Sequence, residues 1–331
     1  MTRTRLSLTL LALAVLLTGL WATTVGHAAL GFGDVVASAV SHLTGQGPAL
    51  SALDEAIVWQ GRAPRVVTAV AVGGGLAIAG VVMQALTHNP LADPYLLGVS
   101  SGASVGAVGA LALGVATLWV LPVAAFAGAL AALATTLAVA GRGASPVRII
   151  LAGVAVGYLG SALVSLLVFS SARGDAFREI LSWLLGSLAS ARWWEAGVAA
   201  TATLAATALV LGRARTLDAL LLGDDAAVAL GVDVRRERPW QMAAVAVLTG
   251  ALVAVSGAIG FVGLVIPHAA RLLVGPRHRV LLPAAALAGG FFLLLADTAA
   301  RTVFDPLELP VGIVTALAGG PAFALLVRRA R

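Results

Sequence analysis

Residues 66–86 read VVTAVAVGGGLAIAGVVMQAL, a stretch of 21 residues without a charged side chain. About twenty apolar residues have the length that a helix needs to cross a bilayer. Such blocks recur along the chain, in which 60% of the 331 residues are hydrophobic and 11% are charged. A soluble domain is nearer half apolar and a quarter charged. The composition therefore indicates an all-α protein of the lipid bilayer, without a separate soluble domain.

We predict about ten transmembrane helices, which form a single transmembrane domain over residues 1–331. Their ranges are 6–28, 64–87, 94–115, 118–140, 148–170, 193–212, 240–257, 258–273, 281–297 and 310–328. The longest polar stretches, about 31–63, 171–192 and 213–239, are loop-sized. One long helix through Gly257 is the alternative, and it would give nine spans and move the C-terminus to the other side.

The first span follows Arg3 and Arg5. Gly26-His27-Ala28 loosely imitates a signal-peptide cleavage site, but the apolar run is long for a signal peptide and many spans follow. We therefore interpret it as an uncleaved first helix.

Glycines recur at the spacing of one helix face. Gly98, Gly102 and Gly106 share a face of the third span, and Gly153 and Gly157 do so in the fifth. Small residues let helix backbones approach closely in lipid, so we predict tight packing within the chain here.

The basic residues are 21 arginines, and the chain has no lysine. With the N-terminus inside, fifteen arginines fall in inner segments and six in outer segments. Arginine accumulates on the cytoplasmic side of membrane proteins. The bias supports ten spans with both termini in the cytoplasm, and it explains the sequence pI near 11.2 without a nucleic-acid partner.

The chain has no evident energy source of its own. A P-loop requires a lysine, which is absent. Carriers that use ion gradients bury ionisable residues at mid-depth, whereas the charges here fall at span ends. Asp297 is the nearest exception, and we predict that it contacts Arg301 one helical turn later. We therefore expect a partner to supply the energy.

No cofactor and no metal site is predicted. The chain lacks cysteine and the H-E-x-x-H pattern of zinc enzymes. His88 and His268 each stand next to a turn or a proline, and we interpret both as structural. No catalytic constellation appears, so the sequence does not indicate an enzyme.

The longest inner segment, 213–239, contains an apolar run from Leu217 to Gly223. Asp224 or Asp225 could cap a short helix that ends at Gly231. Leucines on a short cytoplasmic helix indicate docking on a cytosolic partner. The alternative is a helix that lies on the lipid surface.

Eight motifs, in order from about residue 57 to the C-terminus, resemble those of the FecCD-type permeases. They are Arg62-Ala-Pro-Arg65, Gly80-Val-Val-Met-Gln84, Asn89-Pro-Leu-Ala-Asp-Pro94, Leu97-Gly-Val-Ser-Ser-Gly-Ala103, Leu222-Gly-Asp-Asp-Ala-Ala, Leu230-Gly-Val, Gly257-Ala-Ile-Gly-Phe-Val-Gly-Leu-Val-Ile-Pro-His268 and Leu309-Pro-Val-Gly312. These permeases are the membrane subunits of type II ABC importers for iron–siderophores, haem and cobalamin.

The resemblance implies several partners in the inner (plasma) membrane of a bacterial cell. They are a second permease subunit, identical or a close paralogue, two cytosolic ATPase subunits, and an extracytoplasmic binding protein. In the family, outer arginines meet acidic residues of the binding protein, which transfers to Arg62, Arg65 and Arg301. We expect their charge reversal to weaken docking while the bundle stays folded.

The resemblance also implies a cytoplasmic gate and a coupling segment. Asn89, Leu91 and Ser145 match the gate loops, although Pro146 departs from the usual small polar residue. The ATPase-coupling role falls on a set within 217–231. Its residues are Leu221, Leu222, Gly223, Asp224 and Gly231.

On family frequency the expected cargo is a ferric siderophore, with haem or cobalamin as the alternative within the class. An ion-coupled secondary transporter is the alternative from another class, and an intramembrane enzyme is a third. The motifs and the membrane interior, which holds almost no ionisable residues, argue against the secondary transporter. The missing catalytic constellation argues against the enzyme.

Overall fold

The computed structural model describes residues 2–26, 30–45, 50–141, 143–171, 175–304 and 307–329, which contain helices and no strand. The α-helices are α1 (Thr2–Thr24), α2 (Phe32–Thr44), α3 (Ala52–Ala56), α4 (Ala63–Leu86), α5 (Val99–Ala112), α6 (Val120–Ala140), α7 (Pro146–Ser171), α8 (Asp175–Leu184), α9 (Trp193–Gly212), α10 (Ala214–Leu221), α11 (Asp224–Ala229), α12 (Val234–Ser256), α13 (Val262–Val274), α14 (His278–Ala300) and α15 (Val311–Arg329). A π-helical segment, Ile57–Arg62, joins α3 to α4, and a 3-10 turn, Pro94–Leu97, precedes α5. The end of the first predicted span and Arg142 lie outside the described residues.

Ten apolar helices of the described chain correspond to the ten predicted spans. Seven of them are long and apolar enough to cross a membrane: α1, the continuous helix from α3 to α4, α6, α7, α9, α12 and α14. The other three, α5, α13 and the apolar part of α15, are shorter. The prediction of a multi-span all-α membrane protein is thus confirmed, while the side on which the termini lie stays a prediction.

The two loop-sized polar stretches on the predicted outer side, 31–63 and 171–192, contain helices: α2 and α3 lie in the first and α8 lies in the second. α2 buries Val35, and α8 buries Ile180. Trp59 Nε1 donates a hydrogen bond of 2.8 Å to Ser38 Oγ, which in turn donates to the Glu55 carboxylate at 3.0 Å. These bonds attach α2 to the start of the second span.

α4 is the central helix, with 20 of its 24 residues buried. It packs backbone to backbone on its neighbours. A Cβ added to Gly80 would lie 1.8 Å from the carbonyl oxygen of Gly263 in α13, and one added to Gly73 would lie 2.2 Å from that of Gly289 in α14. Only glycine fits at such contacts, which are typical of helix interfaces in membranes.

The glycines predicted to mediate close packing do so on the other side of the bundle. A Cβ on Gly106 would lie 2.0 Å from the carbonyl oxygen of Ala124, and one on Gly102 would lie 2.3 Å from that of Gly128. Gly153 is equally close to Leu96. The prediction of tight packing within the chain is therefore confirmed for these three residues.

The region around Gly257 forms two helices, α12 and α13, as the ten-span reading predicts. Gly257 ends α12 with a φ of 67°, where a Cβ would lie 2.3 Å from the carbonyl oxygen of Trp183. Non-helical backbone inside a membrane protein needs hydrogen-bond partners. Tyr95 supplies two, since its hydroxyl donates to Ile259 O at 2.9 Å and accepts from Ile259 N at 3.2 Å.

We predict that Tyr95→Phe destabilises the protein by about 1–3 kcal/mol, because the N–H and C=O of Ile259 lose their partner in a buried region. The measurement is thermal unfolding of the purified protein in detergent. Tyr158→Phe is the matched control, since Tyr158 is the other of the two tyrosines and is 77% exposed. Equal unfolding temperatures for the two variants would contradict the prediction.

Candidate functional site

Arg65 forms an ion-pair network at the predicted outer end of the bundle. Its Nε donates to both carboxylate oxygens of Asp297, at 3.0 and 2.9 Å, and its Nη1 donates to Glu308 at 2.8 Å. Asp297 is 1% exposed. The predicted contact between Asp297 and Arg301 is thus corrected: the carboxylate pairs with Arg65 on α4, because α4 and α14 pack in direct contact.

Arg62 and Arg301 cap the C-terminal end of α1. Arg62 Nη1 donates to the carbonyl oxygens of Thr23 and Thr24, at 2.9 and 3.0 Å. Arg301 Nη1 donates to Val25 O at 3.0 Å, and its Nη2 donates to Ala22 O. The last carbonyls of a helix lack partners and carry partial negative charge. The two guanidinium groups satisfy them and hold α1 on the bundle.

The three arginines also line one open cavity of about 400 Å³, together with Glu308. Each is only 6–8% exposed. This burial argues against the expectation that all three charges can be reversed while the bundle stays folded, and the effect of reversal stays a prediction. A carboxylate in place of Arg65 would face buried Asp297, and a carboxylate in place of either capping arginine would face carbonyl oxygens.

The predicted gate residues lie in two exposed loops at the predicted inner end of the bundle. Asn89 Oδ1 accepts a hydrogen bond of 2.9 Å from Leu91 N, and Ser145 Oγ accepts from Arg148 N at the start of α7. Leu91 is 41% exposed. In each loop a side-chain oxygen therefore accepts from a backbone N–H two or three residues later, and the side chain of Leu91 stays exposed.

The predicted coupling segment consists of two helices, α10 and α11. Gly223 separates them with a φ of 105°, and Gly231 follows α11 with a φ of 84°. Asp224 is the first residue of α11 and does not cap it. Its carboxylate instead pairs with Arg238, which reaches it from α12 at 2.9 Å. This pairing lowers the pKa of Asp224.

The coupling segment has one buried and one exposed apolar face. Leu217 and Leu220 are fully buried, whereas Leu221 and Leu222 are 37% and 69% exposed. Val228 and Leu230 extend the exposed face beyond Gly223, at 61% and 64%.

Four polar contacts attach this segment to the inner ends of three spans. His88, next to the gate loop after α4, places its Nε2 2.5 Å from Leu220 O and 3.9 Å from the Asp224 carboxylate. Asp218 accepts from the backbone N–H and the ring of His278 at the start of α14, at 2.9 and 2.7 Å. Glu237 of α12 pairs with Arg213, as Arg238 does with Asp224.

Sequence reasoning missed His88 as a connecting residue. Its backbone has a φ of 51°, a left-handed value that is uncommon outside glycine. That conformation and the contact with Leu220 depend on how α4 and α10 pack, and the local sequence carries no signal for either. No group of three or more candidate metal ligands occurs in the described residues.

Comparison with known proteins places these features in a family. A profile of the FecCD transport family matches residues 6–329. The cobalamin import system permease protein BtuC of Halobacterium salinarum is 48% identical over 277 residues, which are 83% of this chain and 74% of that protein. The hemin transport system permease protein HmuU of Yersinia pestis is 46% identical over 277 residues, which are 82% of each protein.

A solved structure is also similar over nearly its full length. It is an ABC transporter assigned to the metal-chelate type, in an inward-facing conformation. The TM-score is 0.86 at 33% identity, and the match covers 97% of this chain and 98% of that one.

These findings define a multi-pass permease of the ABC type, which is a transport component. The chain belongs to the FecCD transport family, as the sequence motifs predict, and lies in the bacterial inner membrane.

We predict that Arg65→Ala lowers the free energy of unfolding by about 3–5 kcal/mol, because it leaves Asp297 as a buried charge without its partner. Thermal unfolding in detergent measures the effect. Arg192→Ala removes an exposed arginine and is the control. Asp297→Asn added to Arg65→Ala should restore part of the loss. An unfolding temperature equal to that of the control would show that the pair does not hold α4 to α14.

Proposed function

We propose that this chain is the permease subunit of an ATP-driven importer and that it moves a bulky metal chelate from a binding protein into the cytoplasm. The observation that carries the proposal is the coupling segment, which exposes leucines and is attached to three spans. Membership of the FecCD family supports it. The chain has no lysine for a P-loop, so ATP would be hydrolysed on separate subunits.

Two cytosolic ATPase subunits would dock on the importer, one on the exposed face of α10 and α11 in each permease copy. Leu221 and Leu222 provide the apolar contact, and Gly223 and Gly231 set the turns at either end of α11. Asp224 would keep α11 in place, because its carboxylate accepts a hydrogen bond from Arg238 of α12. Burial of these exposed leucines in the contact would remove apolar surface from water and so stabilise the complex.

His88 would carry motion of the coupling segment to the gate. It contacts Leu220 in α10 and precedes Asn89, the first gate residue, in the chain. A displacement of α10 therefore acts on the loop that holds Asn89 and Leu91. Ser145, at the start of α7, would complete the gate.

A second permease subunit, identical or a close paralogue, would complete the path. Tyr158, Ser161 and Ser165 lie on one face of the middle of α7, and all three are exposed. Ser165 Oγ donates to Ser161 O at 2.9 Å, whereas within the described residues the hydroxyls of Tyr158 and Ser161 have no hydrogen bond. An unpaired hydroxyl group is costly against hydrocarbon. We therefore place this face against water, cargo or the second subunit, with the path along the two-fold axis between the copies.

The binding protein would dock at the outer cavity. Arg62, Arg65 and Arg301 line it, and a carboxylate from the binding protein would find three guanidinium groups there. Since these groups also hold the bundle together, docking and the folded state of the outer end would be coupled.

The cargo class is a metal chelate. A ferric siderophore, expected from family frequency, stays a prediction. BtuC and HmuU are named for cobalamin and hemin, which favours a tetrapyrrole chelate as the second candidate.

Uptake by proteoliposomes tests the function. With its ATPase and binding protein, the permease should accumulate one of three labelled cargoes: cobalamin, hemin or a ferric siderophore. Uptake should need ATP and persist with an uncoupler. Leu221→Asp/Leu222→Asp should reduce it at least tenfold, because charges would enter an apolar contact.

Leu221→Met/Leu222→Met keeps apolar volume and should transport normally. Uptake that collapses with the uncoupler would favour an ion-coupled transporter. Normal uptake by the Asp variant with ATPase bound would place α10 and α11 on the membrane surface instead.

We predict that Glu308→Gln raises the affinity of the binding protein about two- to fivefold. It removes one negative charge from the cavity, and a glutamine oxygen can still accept from Arg65. The measurement is equilibrium binding to the reconstituted complex at low and high salt, where screening should remove the gain. Glu179→Gln, also exposed, is the control. An unchanged or lower affinity would refute docking through this cavity.

A further inference from the structure

A groove of about 540 Å³ opens at the inner end of the bundle, away from the coupling leucines and the arginine cavity. It is lined by Leu211, Gly212, Ala214, Arg215, Arg279 and Pro283. The first four residues belong to the junction of α9 and α10, and the last two lie one helical turn apart in α14. The groove therefore has apolar walls and two arginines.

The two arginines lack the acidic partners that neighbouring arginines have. Arg213 pairs with Glu237, and Arg238 pairs with Asp224. Arg215 and Arg279 are both exposed, and within the described residues neither has a hydrogen bond or ion pair from its side chain. Arg279 is also the second residue of α14, where the positive end of the helix dipole adds to its charge.

The groove lies at the level of the membrane surface. The Arg213 guanidinium stacks on Trp240 at 4.8 Å, and tryptophans of this kind mark the membrane–water interface. Leu204 of α9, two helical turns before Leu211 on the same helix face, is 70% exposed and extends the apolar wall towards the bilayer core. Acyl chains could follow this wall while a headgroup occupies the groove.

We propose that this groove binds the headgroup of an anionic phospholipid of the inner leaflet, with Arg215 and Arg279 on its phosphate. Basic pockets between transmembrane helices on the cytoplasmic side suit such headgroups. The apolar wall distinguishes a lipid from free inorganic phosphate, which would gain nothing from contact with Leu204. The site is independent of the proposed cargo, but it adjoins α10, so its occupant contacts the start of the coupling segment.

The test uses purified full-length permease with added phosphatidylglycerol, phosphatidylcholine or inorganic phosphate. Native mass spectrometry counts retained lipid, and a titration followed by thermal unfolding gives the affinity. We expect wild type to retain phosphatidylglycerol in preference to phosphatidylcholine. Arg215→Gln/Arg279→Gln should weaken phosphatidylglycerol binding about ten- to thirtyfold.

Arg148→Gln/Arg235→Gln removes the same charge from exposed inner arginines outside the groove and should bind like wild type. Three results would overturn the proposal. They are an equal loss in both double variants, equal retention of phosphatidylcholine by wild type, and displacement of the lipid by millimolar inorganic phosphate.

Discussion

α4 touches α13 and α14 so closely at Gly80 and Gly73 that no side chain fits between the backbones. Lipid tails are as apolar as leucine, so helices in a membrane gain little from hiding apolar side chains from each other. Close backbone contact supplies van der Waals attraction instead. This packing sets the position of both ends of α4. Its N-terminal end, at Arg65, contacts α1 and α14, and its C-terminal end, next to His88, contacts α10.

Charged groups are confined to the two ends of this packed centre, and there they join helices. At the outer end, Arg65 links α4 to α14, while Arg62 and Arg301 hold the last carbonyls of α1. At the inner end, Asp224 and Asp218 attach the coupling segment to α12 and α14. A buried charge is costly unless it is paired, so these contacts resist separation of the helices that they join.

α7 differs from α4 in a way that bears on transport. In α4, 20 of the 24 residues are buried, whereas only about a quarter of the residues in the most apolar stretch of α7 (28%) are buried. An exposed helix with hydroxyl groups at mid-length suits a surface that contacts a second subunit or a cargo. This difference supports the proposal that α7 faces the second subunit and the cargo, while the packed centre carries motion from the coupling segment.

The sequence by itself determined the ten apolar spans, the breaks near Pro94 and Gly257, the glycine faces and the family. The spans and the glycine faces follow from local composition, since a span needs about twenty apolar residues and a close contact needs glycine. The breaks follow from proline and glycine positions, and the family follows from the resemblance of the eight motifs. The sequence analysis missed the short helices α2 and α8, because 13 and 10 residues are too few to form an apolar block of the length of a span.

Only the tertiary structure decided which charges meet. Asp297 lies 232 residues from Arg65 in the chain and four from Arg301, yet it pairs with Arg65. His88 likewise reaches Leu220 across 132 residues. An i,i+4 pair is available to any helix, but in a crowded membrane interior the strongest partner is the one that helix packing brings nearest. That packing depends on glycines far from either charge, and no local pattern encodes it.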